Sequence, residues 1–318
     1  MSTQFLHGPR WAFARVHRTT LWGTAALLAA AVAVTGFLRW AAWAYPAAEC
    51  HQGPCETFLG FSSADDLLYT AMRYGSTSLL LLPLLIGAFV AGPLIGRELE
   101  SGLHQLMWTQ SLSPTRWLSS KLVTTAVVAV AGTLTLMAAF RFGAARMLDT
   151  RSDLIWADRG VYEATGPVLV AHVLFAVATG AVIGLLVRRT LLAVALAGGV
   201  TGAVLLGAGT VRWDLFPTRT ASGAATNEDW WPTYPADSFA VDQGVTNAAG
   251  ERFYPGQCLP KPIPGYSCPT DTKVVSSYVD YHPRSHFWYV QLIETGIVLA
   301  LAAAATYAAF RLLRRHAA

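Results

Sequence analysis

Charge is the scarcest property of this sequence. Asp, Glu, Lys and Arg make up 13% of its 318 residues, and apolar residues make up 53%, against roughly a quarter charged in a typical soluble domain. A chain so composed is first of all a membrane protein. Lysine and arginine never run longer than a pair, and the formal net charge is only +4. That removes nucleic-acid binding, because a phosphate backbone calls for a clustered basic footprint. No Gly-Lys-Ser/Thr step exists, so no loop of this chain can cradle the phosphates of ATP. His-Glu-x-x-His is missing too, as is any Ser/His/Asp or Cys/His arrangement on one plausible face, and neither intrinsic catalysis nor a bound cofactor is expected. Cysteine is limited to Cys50, Cys55, Cys258 and Cys268.

What the chain does have is length without charge. Uncharged runs cover residues 21–38, 76–95, 122–140, 167–187 and 191–211, and a sixth at 287–310 carries one acid, Glu294. At about 1.5 Å per residue each run, with its flanks, crosses a hydrocarbon core of about 30 Å. The expected fold is an all-α polytopic membrane protein with six transmembrane helices. Ala42-Trp43-Ala44 also fits a small-x-small cleavage site, but the first run exceeds the roughly 7–15 residues of a signal-peptide core, so it is read as a span. Pro83, Gly87, Gly92 and Pro93 make the second span breakable, which lipid tolerates only where neighbours rescue the freed backbone groups. Gly198, Gly199, Gly202, Gly207 and Gly209 in the fifth permit close helix contact.

Basic residues orient the spans. Arg10, Arg15 and Arg18, then Arg97, Arg116 and Lys121, then Arg188 and Arg189, then Arg311, Arg314 and Arg315 fall in short pieces on one side. Nearly every acid falls in the longer pieces on the other side, with Glu98 and Glu100 as the exceptions. The positive-inside bias places both termini in the cytosol, with the chain in the cell membrane. All four cysteines then face an oxidising exterior, and an even number there suggests two disulfides. Three pairings are open, and the short separations favour Cys50 with Cys55 and Cys258 with Cys268. A Cys/His zinc site at His51 has no second clustered pair, so no metal is expected. The chain divides into a basic cytosolic segment (1–20), spans one to five with a cytosolic link at 97–120 (21–211), an outer loop (212–286), and the sixth span with a basic cytosolic tail (287–318).

The link between the second and third spans is the most informative stretch. Leu99, Leu103, Leu106 and Met107 recur at helical spacing, backed by Glu98, Glu100, His104 and Gln105, which describes a short amphipathic helix. Ser113-Pro114 is a helix start, with a capping residue followed by proline at the first helical position. Arg116, Trp117 and Lys121 mark a membrane interface. At Glu98, Glu100, Gly102, Gln110, Ser111, Pro114, Arg116, Trp117 and Lys121 the chain resembles the membrane subunit of ABC-2 type exporters. That pattern is an acidic pair, a Gly-Thr-like step, a polar helix, a Ser/Pro turn and an aromatic-basic lead into the third span. Leu103 departs from it, where the family usually has threonine.

The resemblance implies an ABC-2 exporter fold with a large outer element between spans five and six. It also implies that the link is a coupling helix pressed onto a separate ABC ATPase subunit, with ATP and Mg on that partner. Arg97, Glu98, Glu100, Gly102, Leu103, Leu106 and Gln110 are then the ATPase-coupling residues. A homodimer or a paired permease is expected, and the substrate stays open among small molecules, peptides and lipids.

Glu294 lies about two turns inside the sixth span, behind an aromatic entrance at Phe287, Trp288 and Tyr289. A charge at that depth costs a few kcal/mol unless it faces protein or water, so Glu294 reads as a transport-path or dimer-seam group, or as a structural acid bonded to a neighbouring helix. His172 reads as a buried, hydrogen-bonded residue, and His282 and His286 as interface histidines because Pro283 interrupts any helix there. Loop 212–286, rich in Pro, Gly, Trp and Tyr, is expected to form a compact turn-rich cap. The leading expectation is the permease subunit of an ATP-driven exporter. The alternative is a polytopic sensor or assembly protein with a ligand-binding outer loop.

Overall fold

The structure, a computed structural model, describes residues 18–45, 58–102, 113–148, 154–224, 232–258 and 268–317. Leu103, Leu106, Gln110, Cys50 and Cys55 lie outside the described residues. Among the described residues six helices are long and apolar enough to cross a membrane: Leu21–Ala44, Ala64–Glu100, Pro114–Ala144, Val168–Val187, Thr190–Asp214 and Arg284–Arg315. They are called spans one to six below. Two of the starts have a side-chain cap. Ser63 caps the second span by accepting from the Asp66 N–H, with Asp65 and Asp66 in the first turn where the helix dipole favours acids. Ser113 accepts from the Arg116 N–H and Pro114 occupies the first turn of the third. Arg188 adopts a left-handed backbone (φ 54°) that ends the fourth span and turns the chain directly into the fifth.

Span two is three helices in line: α1 (Ala64–Leu85), a π-helical segment (Ile86–Ala91) and α2 (Gly92–Glu100). Pro83 removes one backbone donor just before the π turn, and the widened turn presents Gly87, Ala88 and Ala91 as buried small residues. Span four is the central helix, buried on nearly every side. Its Gly180 meets the π segment so closely that a Cβ there would lie 2.5 Å from Ala91 Cβ and 2.8 Å from the Gly92 nitrogen. Small residues on both helices thus let two backbones touch, the packing mode available where lipid offers no hydrophobic drive. Span six lies along span four.

The chain is mostly helical but not all-α. Between spans five and six it forms a four-stranded antiparallel sheet, β1 (Arg219–Ala224), β2 (Phe239–Thr246), β3 (Arg252–Phe253) and β4 (Ser276–His282), in the order β1-β4-β2-β3. Arg219 pairs with Tyr281 and Ala224 with Ser276 on one side of β4. On the other side Phe239 pairs with His282, and a bulge lies between Ala240 and Asp242. The expectation of a turn-rich cap missed these strands because their faces are mixed and small, as in Arg-Thr-Ala-Ser-Gly-Ala, with little apolar alternation to read. Tyr278 O–H donates to Asp242 Oδ2 at 3.1 Å. Burial, with the Asp242 charge adding to it, pushes the phenol up to about 12, so this cross-strand bond keeps its proton throughout the neutral range. Cys258 and Cys268 form a disulfide.

A short helix, α3 (Val161–Thr165), precedes span four. Gly160 enters it at φ 88°, with its α-carbon against span two, where a Cβ would fall 2.6 Å from the Ser76 carbonyl carbon. Only glycine satisfies both the backbone angle and the approach.

Candidate functional site

Two polar constellations stand at opposite ends of the bundle. The first is where span two ends. Glu98 and Glu100 occupy the last turn of α2, where the helix dipole disfavours negative charge, so each acid finds a partner on another span. Glu98 Oε1 pairs with Lys121 Nζ, and Trp117 Nε1 donates to Glu98 Oε2 at 3.1 Å. Lys121 and Trp117 are buried on span three. Glu100 Oε2 accepts from the Thr190 backbone N–H at 2.9 Å, capping the first turn of span five. Beneath them Ile95, Trp117, Leu118, Leu185 and Leu313 form one apolar cluster from spans two, three, four and six. Arg97 is exposed, and Gly102 leaves the helix at φ 71°.

The second constellation lies at the sheet end. Arg212, at the end of span five, is 2% exposed. Its Nε donates to Glu294 Oε2 at 2.8 Å, its Nη2 to Glu294 Oε1 at 3.0 Å and to Glu163 Oε1 at 2.5 Å. The guanidinium carbon lies 4.0 Å from the Tyr162 ring centroid. His172 Nε2 stands 3.5 Å from Glu294 Oε1. Glu163 Oε2 also accepts from the Gly160 N–H at 2.6 Å, closing α3 on itself. Burial, with the Glu294 charge adding to it, raises the Tyr162 phenol above its ordinary value, so it stays neutral. Gln291, one turn before Glu294, donates to the Tyr162 carbonyl at 2.7 Å and accepts from the Val168 N–H at 3.3 Å. One guanidinium thereby joins α3, span five and span six, and Glu294 faces protein, not lipid. Buried charges are held when paired in both charge and hydrogen-bond geometry.

Sheet and network touch through Trp213. His282 Nε2 bonds the Trp213 carbonyl at 2.9 Å, and His282 and His286 approach Nδ1 to Nδ1 at 3.1 Å, so the two histidines form one pair across Pro283. Among the described residues no group of three or more His, Cys, Asp or Glu is placed to hold a metal ion. An apolar groove of about 350 Å³ opens between spans one, two and three, floored by Ile86 and Val90 of the widened region and edged by Thr124, Thr125 and Thr133.

Of the residues singled out from sequence, Glu98, Glu100 and Glu294 are brought into contacts between spans. Glu163 and Arg212 were not singled out. The one available signal was Arg212 itself, a cation terminating an otherwise uncharged run.

A family model described as ABC-2 membrane transporter related matches residues 4–212, which takes in spans one to four and all of span five up to Arg212. No curated protein and no solved structure matches the chain. With most of its length covered by that one model, the chain belongs to the ABC-2 membrane transporter related family.

Proposed function

We propose that this chain is the membrane-spanning permease subunit of an ATP-driven exporter, working as a dimer with a like or paired permease in the cell membrane. A separate ABC ATPase, carrying ATP and Mg, presses on the link that follows Ser101 and Gly102. In this reading the Glu98 end of the bundle and both termini are cytosolic. The sheet is then external, which suits the Cys258–Cys268 disulfide. The observation that carries the reading is the double brace of α2: Glu98 to Lys121 on span three and Glu100 to Thr190 on span five. A push on the end of α2 reaches both neighbours through paired charge and capping bonds. Spans three and five are thereby biased between two packings, as alternating access requires.

Affinity capture of the tagged chain from native membranes tests this directly. An ATP-hydrolysing protein should come with it and be released when the link is altered. A chain that carries no ATPase, while its sheet retains a ligand, would favour the sensor reading instead. Orientation is checked separately, by a Ser101→Cys variant in intact cells. Protection from a membrane-impermeant thiol reagent is expected, and ready labelling would overturn the assignment of sides.

A further inference from the structure

Span two is held near both ends. In α1 the Ser76 backbone lies against Gly160, and α2 is held by Glu98 on Lys121 and by Glu100 on Thr190. Between these anchors stands the π segment Ile86–Ala91, closed by the bond from the Gly92 N–H to the Gly87 carbonyl. A π bond reaches back five residues where an α bond reaches four, so the segment carries one residue more than a continuous α-helix needs. Pro83 and Pro93 flank it, and neither has an N–H, which leaves fewer backbone bonds to exchange. The buried face of the segment is built on Gly87, Ala88, Ala91 and Gly92, which meet Gly180 of span four and Ala193 of span five at close to backbone contact. Thr201 of span five stands over this face. Thr35, Thr124, Thr133, Thr135 and Thr306 each donate to the carbonyl four residues earlier, at 2.7 to 2.9 Å. Thr201 does not. Its hydroxyl is fully buried, has no hydrogen-bond partner among the described residues, and lies 2.8 Å from where a Cβ on Gly87 would fall. A buried donor left unpaired is costly.

We propose that the π segment is a conformational switch: its surplus residue shifts along span two between two settings, and the Thr201 hydroxyl is unbonded in the one described here and bonded in the other. With both ends held, the surplus residue cannot leave the helix and can only change its place. Each residue it passes turns by about 100°, one residue's share of an α turn, while Ser76 and Glu98 keep their contacts. That turn brings a backbone carbonyl of the segment to Thr201 and ends the isolation of its hydroxyl. It also carries Phe89, 66% exposed in this setting, into different surroundings. Thr201 is thus a positioning residue that favours the second setting. The switch needs neither partner nor substrate, so it stands or falls apart from the exporter reading.

The test uses the full chain in nanodiscs with a trifluoromethyl probe on Phe89→Cys, read by fluorine NMR against the same preparation without the added cysteine. Two resonances are expected. Thr201→Val should change their ratio by about fivefold, the scale of one buried hydrogen bond, and Gly87→Ala, whose methyl falls on the hydroxyl, should move it the opposite way. Deletion of Ala88 removes the surplus residue and makes the Gly92-to-Gly87 bond an ordinary α-helical one. A single resonance should then remain, with a melting temperature close to that of wild type. Deletion of Val127 from span three, which is α-helical throughout, has no surplus to absorb it and should lower the melting temperature steeply. One resonance in the otherwise wild-type chain overturns the proposal. So does a ratio that Thr201→Val leaves unchanged, and so does an Ala88 deletion as damaging as that of Val127.

Discussion

Arg212 and Glu294 meet through two hydrogen bonds, at 2.8 and 3.0 Å, with both side chains 3% exposed. The pair fastens the end of span five to span six, and its second arm to Glu163 draws in α3. Arg212→Met would strand two buried carboxylates, a change that typically costs about 3–5 kcal/mol. The expected outcome is a large fall in melting temperature in detergent or nanodiscs. The triple variant Arg212→Met, Glu163→Gln, Glu294→Gln should recover much of the loss, since it leaves no uncompensated charge. A single variant as stable as wild type would show that the network is not a clamp.

Glu98 and Lys121 are suited to a double-mutant cycle. Pairs in contact show interaction energies of about 0.5–3 kcal/mol. Glu98→Lys alone sets two cations together and should lower both stability and any partner-stimulated ATPase rate. The exchanged pair, Glu98→Lys with Lys121→Glu, should regain stability. If activity stays lost while stability returns, Glu98 has a further role toward the partner; full recovery of both means its work is confined to this brace.

Gly180 tests the contact between spans two and four. Gly180→Val places branched bulk into a gap already closed at 2.5 Å, and overpacking of this kind costs about 1–3 kcal/mol. Gly199→Ala, with nothing within 4 Å of the added carbon, should change stability by less than about 0.5 kcal/mol. Thermal unfolding of both variants side by side separates close packing from a general intolerance of glycine replacement.

The sheet should depend on its cross-link more than the bundle does. Cys258→Ser with Cys268→Ser removes a closed loop of ten residues' separation, for a loss of about 2–4 kcal/mol. Proteolysis is expected to cut within residues 232–258 sooner in this variant, while the six helical spans remain inserted and protected. Equal resistance in the two proteins would place the sheet's stability elsewhere.

The six spans were legible because crossing a hydrocarbon core requires a length of uncharged sequence that nothing else in the chain needs. Span two begins at Ala64, earlier than the uncharged run at residue 76, because Asp65, Asp66 and Arg73 sit on its first turns where Ser63 caps it and where a charge count sees only loop. Glu294 drew notice as a lone acid, yet its partner Arg212 is 82 residues away, and no local pattern carries such a pairing. Glu98 and Glu100 were legible as a pair, whereas their engagement with Lys121 and Thr190 depends on how three helices meet. The strands of the sheet escaped reading for want of alternation, and β1 holds by backbone pairing to β4 with few large side chains.

β4 ends at His282 and the helix of span six begins at Phe287, with Pro283 and a single tight turn between them. That junction has no slack. Whatever takes hold of the sheet therefore exerts torque on the sixth helix about its own axis, and Glu294 is the first charged group along that shaft to register the twist.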